Sequence, residues 1–118
     1  MDVHSWPDDQ FEELSPVISR SALHTETMTF ARIRLRKGAV VPMHEHVNEQ
    51  IATVLAGKMK FTGADGHEHV VAPGETIVFP SNVPHQAEAL EDSDVIDAFS
   101  PVREDWRRGD DSYLRAAR

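Results

Sequence analysis

The residues of this 118-residue chain best suited to chemistry are His44, His46 and His85, with Gln50 placed among them. His44 and His46 stand two apart in residues 38–57, GAVVPMHEHVNEQIATVLAG. In an extended strand, side chains two apart point to the same side, so two imidazoles can aim at one point. Gln50 shares their parity and joins them, unless a bulge intervenes and turns Glu49 inward instead. His85 follows a glycine turn at Gly74 and the apolar run Thr76–Phe79. Imidazoles are common ligands of divalent transition metals, so the pattern predicts one such ion held by His44, His46, Gln50 and His85 across neighbouring strands. Otherwise the histidines would be satisfied by backbone carbonyls, and Gln50 would be a hydrogen-bonding neighbour. Nickel, zinc, manganese, iron and cobalt all suit three imidazoles and an amide.

The elements that must position these groups read as strands. Residues 28–35, MTFARIRL, alternate Met28, Phe30, Arg32 and Arg34 against Thr29, Ala31, Ile33 and Leu35, the period of a half-buried strand. A first strand is expected at 17–24 after a Ser15-Pro16 turn. Further strands are expected at 50–56, 58–62, 67–72, 76–79, 85–90 and 94–99. Gly57 should turn 50–56 into a hairpin with 58–62, and residues 63–66 should form a second hairpin loop. The run 76–79 looks buried. Nothing between 17 and 99 carries the 3.6-residue period of a long helix. Residues 1–14 read as an irregular arm with a short helix possible after Pro7-Asp8-Asp9, and the charged tail has room for a short helix near Tyr113-Leu114. Short strands punctuated by glycine and proline predict an all-β sandwich or barrel: one domain over 1–118, with a core of about 17–100 and arms at 1–16 and 101–118.

Composition narrows the function. Twelve Lys and Arg against twenty Asp and Glu give a net charge of −8, which disfavours nucleic acid and anionic membranes. An anionic ligand would then need a local positive feature. The absence of cysteine excludes disulfides and thiolate ligands. No apolar run is long enough to span a bilayer, and the amino terminus lacks a signal-peptide pattern, so a cytoplasmic location is expected. His67 and His69 flank a hairpin loop without a third partner and read as surface residues. Trp6 and Trp106 read as packing anchors or dimer contacts.

The spacing resembles the cupin family. Gly38, His44, His46 and Gly57 match its first motif, G-x5-H-x-H-x3-E-x6-G, with Gln50 replacing the glutamate. Gly74, Pro80 and His85 match the second, G-x5-P-x-G-x2-H-x3-N, with Asn82 in place of glycine and Ala89 in place of asparagine. The resemblance implies a double-stranded β-helix, a jelly-roll barrel with a metal inside. A neutral amide at position 50 leaves more positive charge on such a metal than a carboxylate would, favouring an anionic or enolate-like ligand.

Residues 97–105, DAFSPVRED, together with Glu49-Gln50, resemble the small single-domain KdgF cupins, which open and ketonise the 4,5-unsaturated uronates released by pectin and alginate lyases. That resemblance implies metal ligation by His44, His46, Gln50 and His85, and substrate roles for Asp97 and Arg103. Asp97 would shuttle protons and Arg103 would clamp a sugar-acid carboxylate. Without those roles Asp97 would cap a turn or bind a surface lysine, and Arg103 would be one charge of a solvated run. Two other readings compete: lyase, hydroxynitrile-lyase-type or dioxygenase chemistry at the same site, and a non-catalytic cupin that binds sugar acids. Analogy of fold also leads us to expect a homodimer.

Overall fold

The computed structural model describes residues 1–6 and 10–118. Ten strands run in the order β1 (Glu12–Ser15), β2 (Ile18–His24), β3 (Thr29–Leu35), β4 (Val40–His44), β5 (Glu49–Ala56), β6 (Met59–Gly63), β7 (Glu68–Val71), β8 (Thr76–Phe79), β9 (His85–Ala89) and β10 (Ser93–Ser100). Two short helices follow, α1 (Glu104–Arg107) and α2 (Ser112–Arg115). The strands form a six-stranded sheet, β1-β2-β3-β10-β5-β8, and a four-stranded sheet, β4-β9-β6-β7. Every pairing is antiparallel. This is the two-sheet jelly roll expected of an all-β cupin fold.

Period-two alternation builds the interior. Thr29, Ala31, Ile33 and Leu35 of β3 are buried, as are Ala52 and Val54 of β5 and Val95 and Phe99 of β10. Met59, Phe61, Ala87 and Ala89 close the core from the other sheet. Burial of each of the larger ones, Ile33, Leu35, Val54, Met59, Phe61, Val95 and Phe99, contributes on the order of 1.5–3 kcal/mol, and that fixes the register. Gln50, Asp97 and His85 occupy the same inward parity, so three polar side chains sit where the pattern calls for apolar ones.

Several expectations are corrected. Residues 58–62 are not the hairpin partner of 50–56: β5 pairs with β10 and β8, whereas β6 pairs with β7 and β9. Gly57 carries the chain across from one sheet to the other at φ +87, and an added Cβ would meet the Asp92 carbonyl oxygen at 2.2 Å. The run 76–79 is an edge strand rather than a buried one, with Val78 57% exposed. Residues 12–15 form a strand against β2, where an irregular arm was expected. The Pro7-Asp8-Asp9 start of the possible helix lies outside the described residues. The expected hairpin around 63–66 is present, and Asn82 adopts φ 60, the left-handed conformation that its place in the cupin motif requires.

The tail is closely built into the barrel. Trp106, Leu114 and Ala117 are buried in the core cluster. Asp111, fully buried, accepts from Arg20 at 2.9 Å and Arg115 at 2.8 Å. Arg118 exchanges two backbone hydrogen bonds with Val40, which ties the tail to the start of β4. Trp6 packs at 5.4 Å on Phe30 and anchors the amino-terminal segment. Among the described residues no helix is long and apolar enough to cross a membrane.

Candidate metal centre and its neighbours

The three histidines converge, by a route different from the expected one. His44 ends β4 and faces His85, the first residue of β9, after a register shift between Val41 and His44. His46 lies beyond the strand end, so the pair does not rely on a continuous extended strand. A bend at Val47-Asn48 leads from β4 in one sheet to β5 in the other, and Gln50 enters from β5 with its side chain inward, while Glu49 stays exposed. The candidate ligand atoms of His44, His46 and His85 lie within 4.8 Å of one another.

Backbone carbonyls set the three tautomers. Nδ1 of His44 bonds to Pro42 O at 2.8 Å, that of His46 to Asn48 O at 3.0 Å, and that of His85 to Val83 O at 2.9 Å. A carbonyl only accepts, so each Nδ1 carries the proton and each Nε2 presents a lone pair. Burial and then the neighbouring His85 and His46 push His44 down to about 3, against the opposing bond to Pro42. Burial and the Arg103 charge push His46 down to about 4, and burial also lowers His85. All three are therefore neutral at physiological pH, the form that ligates metal.

The amide of Gln50 adds a test of fit. Its Nε2 donates to Asp97 Oδ1 at 3.0 Å, which turns Oε1 toward His46 Nε2 at 3.1 Å. Two lone pairs thus face each other, an arrangement that a cation relieves. Donors about 2.1 Å from one ion and at right angles stand about 3.0 Å apart, so the 3.1 Å separation suits a shared metal. The donor set fits a divalent transition ion. The three-histidine group is placed for metal binding, and Gln50 Oε1 lies beside it, 3.1 Å from His46 Nε2.

Asp97 is 5% exposed on β10, two residues from Phe99, which pairs with Gln50 across β5. Burial raises its carboxyl to about 6, although the Gln50 bond and the Arg103 charge pull the other way. Arg103 is 1% exposed, so it is no member of a solvated charge run. Its guanidinium stacks over Trp106 at 4.4 Å and Phe99 at 4.7 Å. Nε and Nη2 bind the two Asp105 oxygens at 2.9 and 2.7 Å, and Nη2 also donates to Tyr113 Oη. The fork is occupied within the chain.

Tyr113 was not anticipated at the site. It stacks on His44 at 4.3 Å, from a helix whose approach to the barrel no local pattern reveals. Its being the sole tyrosine was the one signal available. Asp105 and Asn48 are further supports; Asn48 Nδ2 donates to the carbonyls of Pro101 and Val102. His44, Gln50, His85, Asp97, Arg103 and Tyr113 line one central cavity of about 60 Å3. That is far below the roughly 300–1,000 Å3 of small-molecule pockets, so a sugar-sized ligand would extend past it or displace a wall. His85 also borders an outer cleft of about 410 Å3 between the β6–β7 loop, β8 and residues 80–84. His67 is exposed and, among the described residues, paired only with Asp65, and His69 is exposed too, as expected of surface histidines.

Residues 31–96 match the family description "Cupin domain". The chain belongs to the cupin family. KdgF from Halomonas sp. is 34% identical over 81% of this cupin and 89% of its own chain, with a TM-score of 0.75. An RmlC-like cupin from Shewanella frigidimarina is 28% identical over 89% of this chain and 96% of its own, with a TM-score of 0.78. Bacillus subtilis oxalate decarboxylase, studied for its Mn(II) centres, shares the fold at 22% identity. It covers 79% of this chain and 28% of its own, with a TM-score of 0.69. No curated protein matches the sequence.

Proposed function

We propose that this cupin opens and ketonises 4,5-unsaturated uronates to linear 5-keto-4-deoxyuronates, using one divalent transition metal held by His44, His46, Gln50 and His85. The observation that carries the reading is the chain His46–Gln50–Asp97, which sets a buried carboxyl one amide away from the three-histidine group. Similarity to KdgF from Halomonas sp. supports the same assignment. When bound, the metal supplies positive charge that stabilises an oxyanion developing in the substrate.

Asp97, ionised, takes the proton of the anomeric hydroxyl as the bond between the anomeric carbon and the ring oxygen breaks. The products of that step are an aldehyde and an enolate on the former ring oxygen. The same carboxyl then returns its proton to C4 as the enolate becomes a ketone, so the step is a tautomerisation without redox change. A carboxyl held near 6 suits both halves, because it accepts and donates with little driving-force penalty near neutral pH. Phe99 and Trp106 line the same cavity and give it an apolar wall. Arg103 keeps only Nη1 uncommitted among the described residues, so its contact with a substrate carboxylate is single-point and reinforced by charge.

The test is ultraviolet loss of the enol chromophore of a freshly made unsaturated monouronate. Native protein, chelator-stripped protein and no protein are compared, because the substrate also rearranges unaided. Metal-dependent acceleration is expected; none from metal-replete protein would overturn the reading. One observation favours a second reading. With the Arg103 fork bound to Asp105, the feature that selects a sugar acid is weakened, and lyase or dioxygenase chemistry on the same site gains ground. Oxygen consumption by ferrous-loaded protein would reveal the dioxygenase.

A further inference from the structure

The Tyr113 hydroxyl accepts hydrogen bonds from Arg103 Nη2 and from Trp106 Nε1, the latter at 2.9 Å. Neither donor can accept in return, since guanidinium and indole nitrogens carry no available lone pair. Both bonds therefore run one way, and the phenol's own hydrogen has no acceptor among the described residues. Tyr113 lines the central cavity together with Asp97, Gln50 and His44. A hydroxyl that accepts from a cationic donor is polarised and becomes a stronger donor itself. A hydrogen left unmet inside a protein wall is costly unless a water or a ligand receives it.

The phenol is also held rigidly. Its ring lies stacked on His44 at 4.3 Å and 25°, and its helix is pinned through Asp111 to Arg20 and through Arg118 to β4. Fixed donors aimed at developing charge need no reorganisation during reaction.

We infer that Tyr113 is a substrate-contacting residue of this site, its O–H donating a hydrogen bond to the oxygen that gains negative charge as the ring opens. The inference rests on the ketonisation reading. It makes the carboxy-terminal helix a part of the active site, supplying a neutral donor that complements the cationic groups.

Two measurements test it. Tyr113→Phe keeps the ring on His44 and removes only the hydroxyl. Metal content should stay native, kcat should fall about 100-fold, the scale of losing one oxyanion donor, and KM should move by less than about threefold. A merely structural role acting through Arg103 would instead raise KM, because the damage would fall on carboxylate binding. The second measurement needs no mutation. Tyr113 is the only tyrosine, so growth on 3-fluorotyrosine labels this position alone. Its fluorine resonance should shift when the metal-loaded protein is saturated with the unsaturated monouronate. Native acceleration with Tyr113→Phe near native in kcat, with a loss confined to KM, or with a fluorine signal unmoved by substrate, overturns this inference and leaves the ketonisation reading standing. No acceleration by native protein overturns both.

Discussion

Asp97→Asn should trade activity for stability, and the size of the trade follows from the burial of Asp97. Raising the carboxyl from its ordinary 3.8 to about 6 means that ionising it in the folded protein costs more than in the unfolded chain. The interval of about 2.2 pH units, at 1.36 kcal/mol each, is about 3 kcal/mol. The sign is fixed by which state binds the proton more tightly, here the folded one. The stability contributed by protonated Asp97 is fully present below 3.8 and is lost as pH rises through about 6. Asparagine never ionises, still offers an oxygen to Gln50 Nε2, and keeps that stability at every pH.

For metal-stripped protein, the stability difference between variant and native should therefore grow by about 2.5 kcal/mol between pH 4 and pH 7.5, the first part of the loss lying below pH 4. In a domain of this size that corresponds to roughly 10 °C in Tm. Denaturant melts at several pH values measure it directly. Metal-loaded Asp97→Asn should meanwhile lose turnover by about 100- to 10,000-fold, the scale of a general acid–base group. Parallel stability curves across that pH range would refute the buried-carboxyl argument. Full turnover in the variant would remove Asp97 from the proton shuttle.

Other expectations are quickly tested. His44→Ala or His85→Ala should abolish tight binding of one metal per chain by elemental analysis, and chelation of native protein should lower Tm, because bound ions stabilise only the folded state. Asp111→Ala leaves the Arg20 guanidinium buried without its partner and should cost about 3–5 kcal/mol in denaturant unfolding. Burial opposes ionisation of Asp111, but the bonds from Arg115 and Arg20 outweigh it and hold its carboxyl below the ordinary range. That contribution should accordingly persist above pH 3.8 and fade only in stronger acid. Light scattering should give twice the 13.2 kDa chain mass if the expected homodimer forms.

Strands such as β3, β9 and β10 were legible because one face of each is buried, and a period of two registers that asymmetry directly. Residues 28–35 show it clearly: every second side chain from Thr29 is buried. Alternation carries no information about partners, however. It could not reveal that Gly57 passes the chain between sheets, since a hairpin and a crossover present the same local pattern. The spacing of the histidines points to the site, yet the geometry that unites them includes a bend at Val47-Asn48 and a change of sheet that parity along a single strand does not describe. The tail was least legible. Arg103-Glu104-Asp105 reads as a solvated run, but Trp106 beside it and Phe99 before it supply two aromatic faces that make burial of the guanidinium tolerable. Tyr113 comes to the site through tertiary packing alone.

Position 50 gains a second physical reason for its amide. From the sequence, glutamine mattered as a neutral replacement for a charged ligand. In the structure it does two things at once, donating from Nε2 to Asp97 and presenting Oε1 toward His46. A carboxylate accepts only, so glutamate could not make the first bond while offering an oxygen to a metal. It would also set a second negative charge against a buried Asp97, and two such carboxyls would share a proton rather than leave one free to move. The amide thus allows a metal-facing oxygen and a titratable carboxyl to coexist within one hydrogen bond of each other. The proposed ketonisation, by a single proton shuttle beside a metal, would draw on that combination.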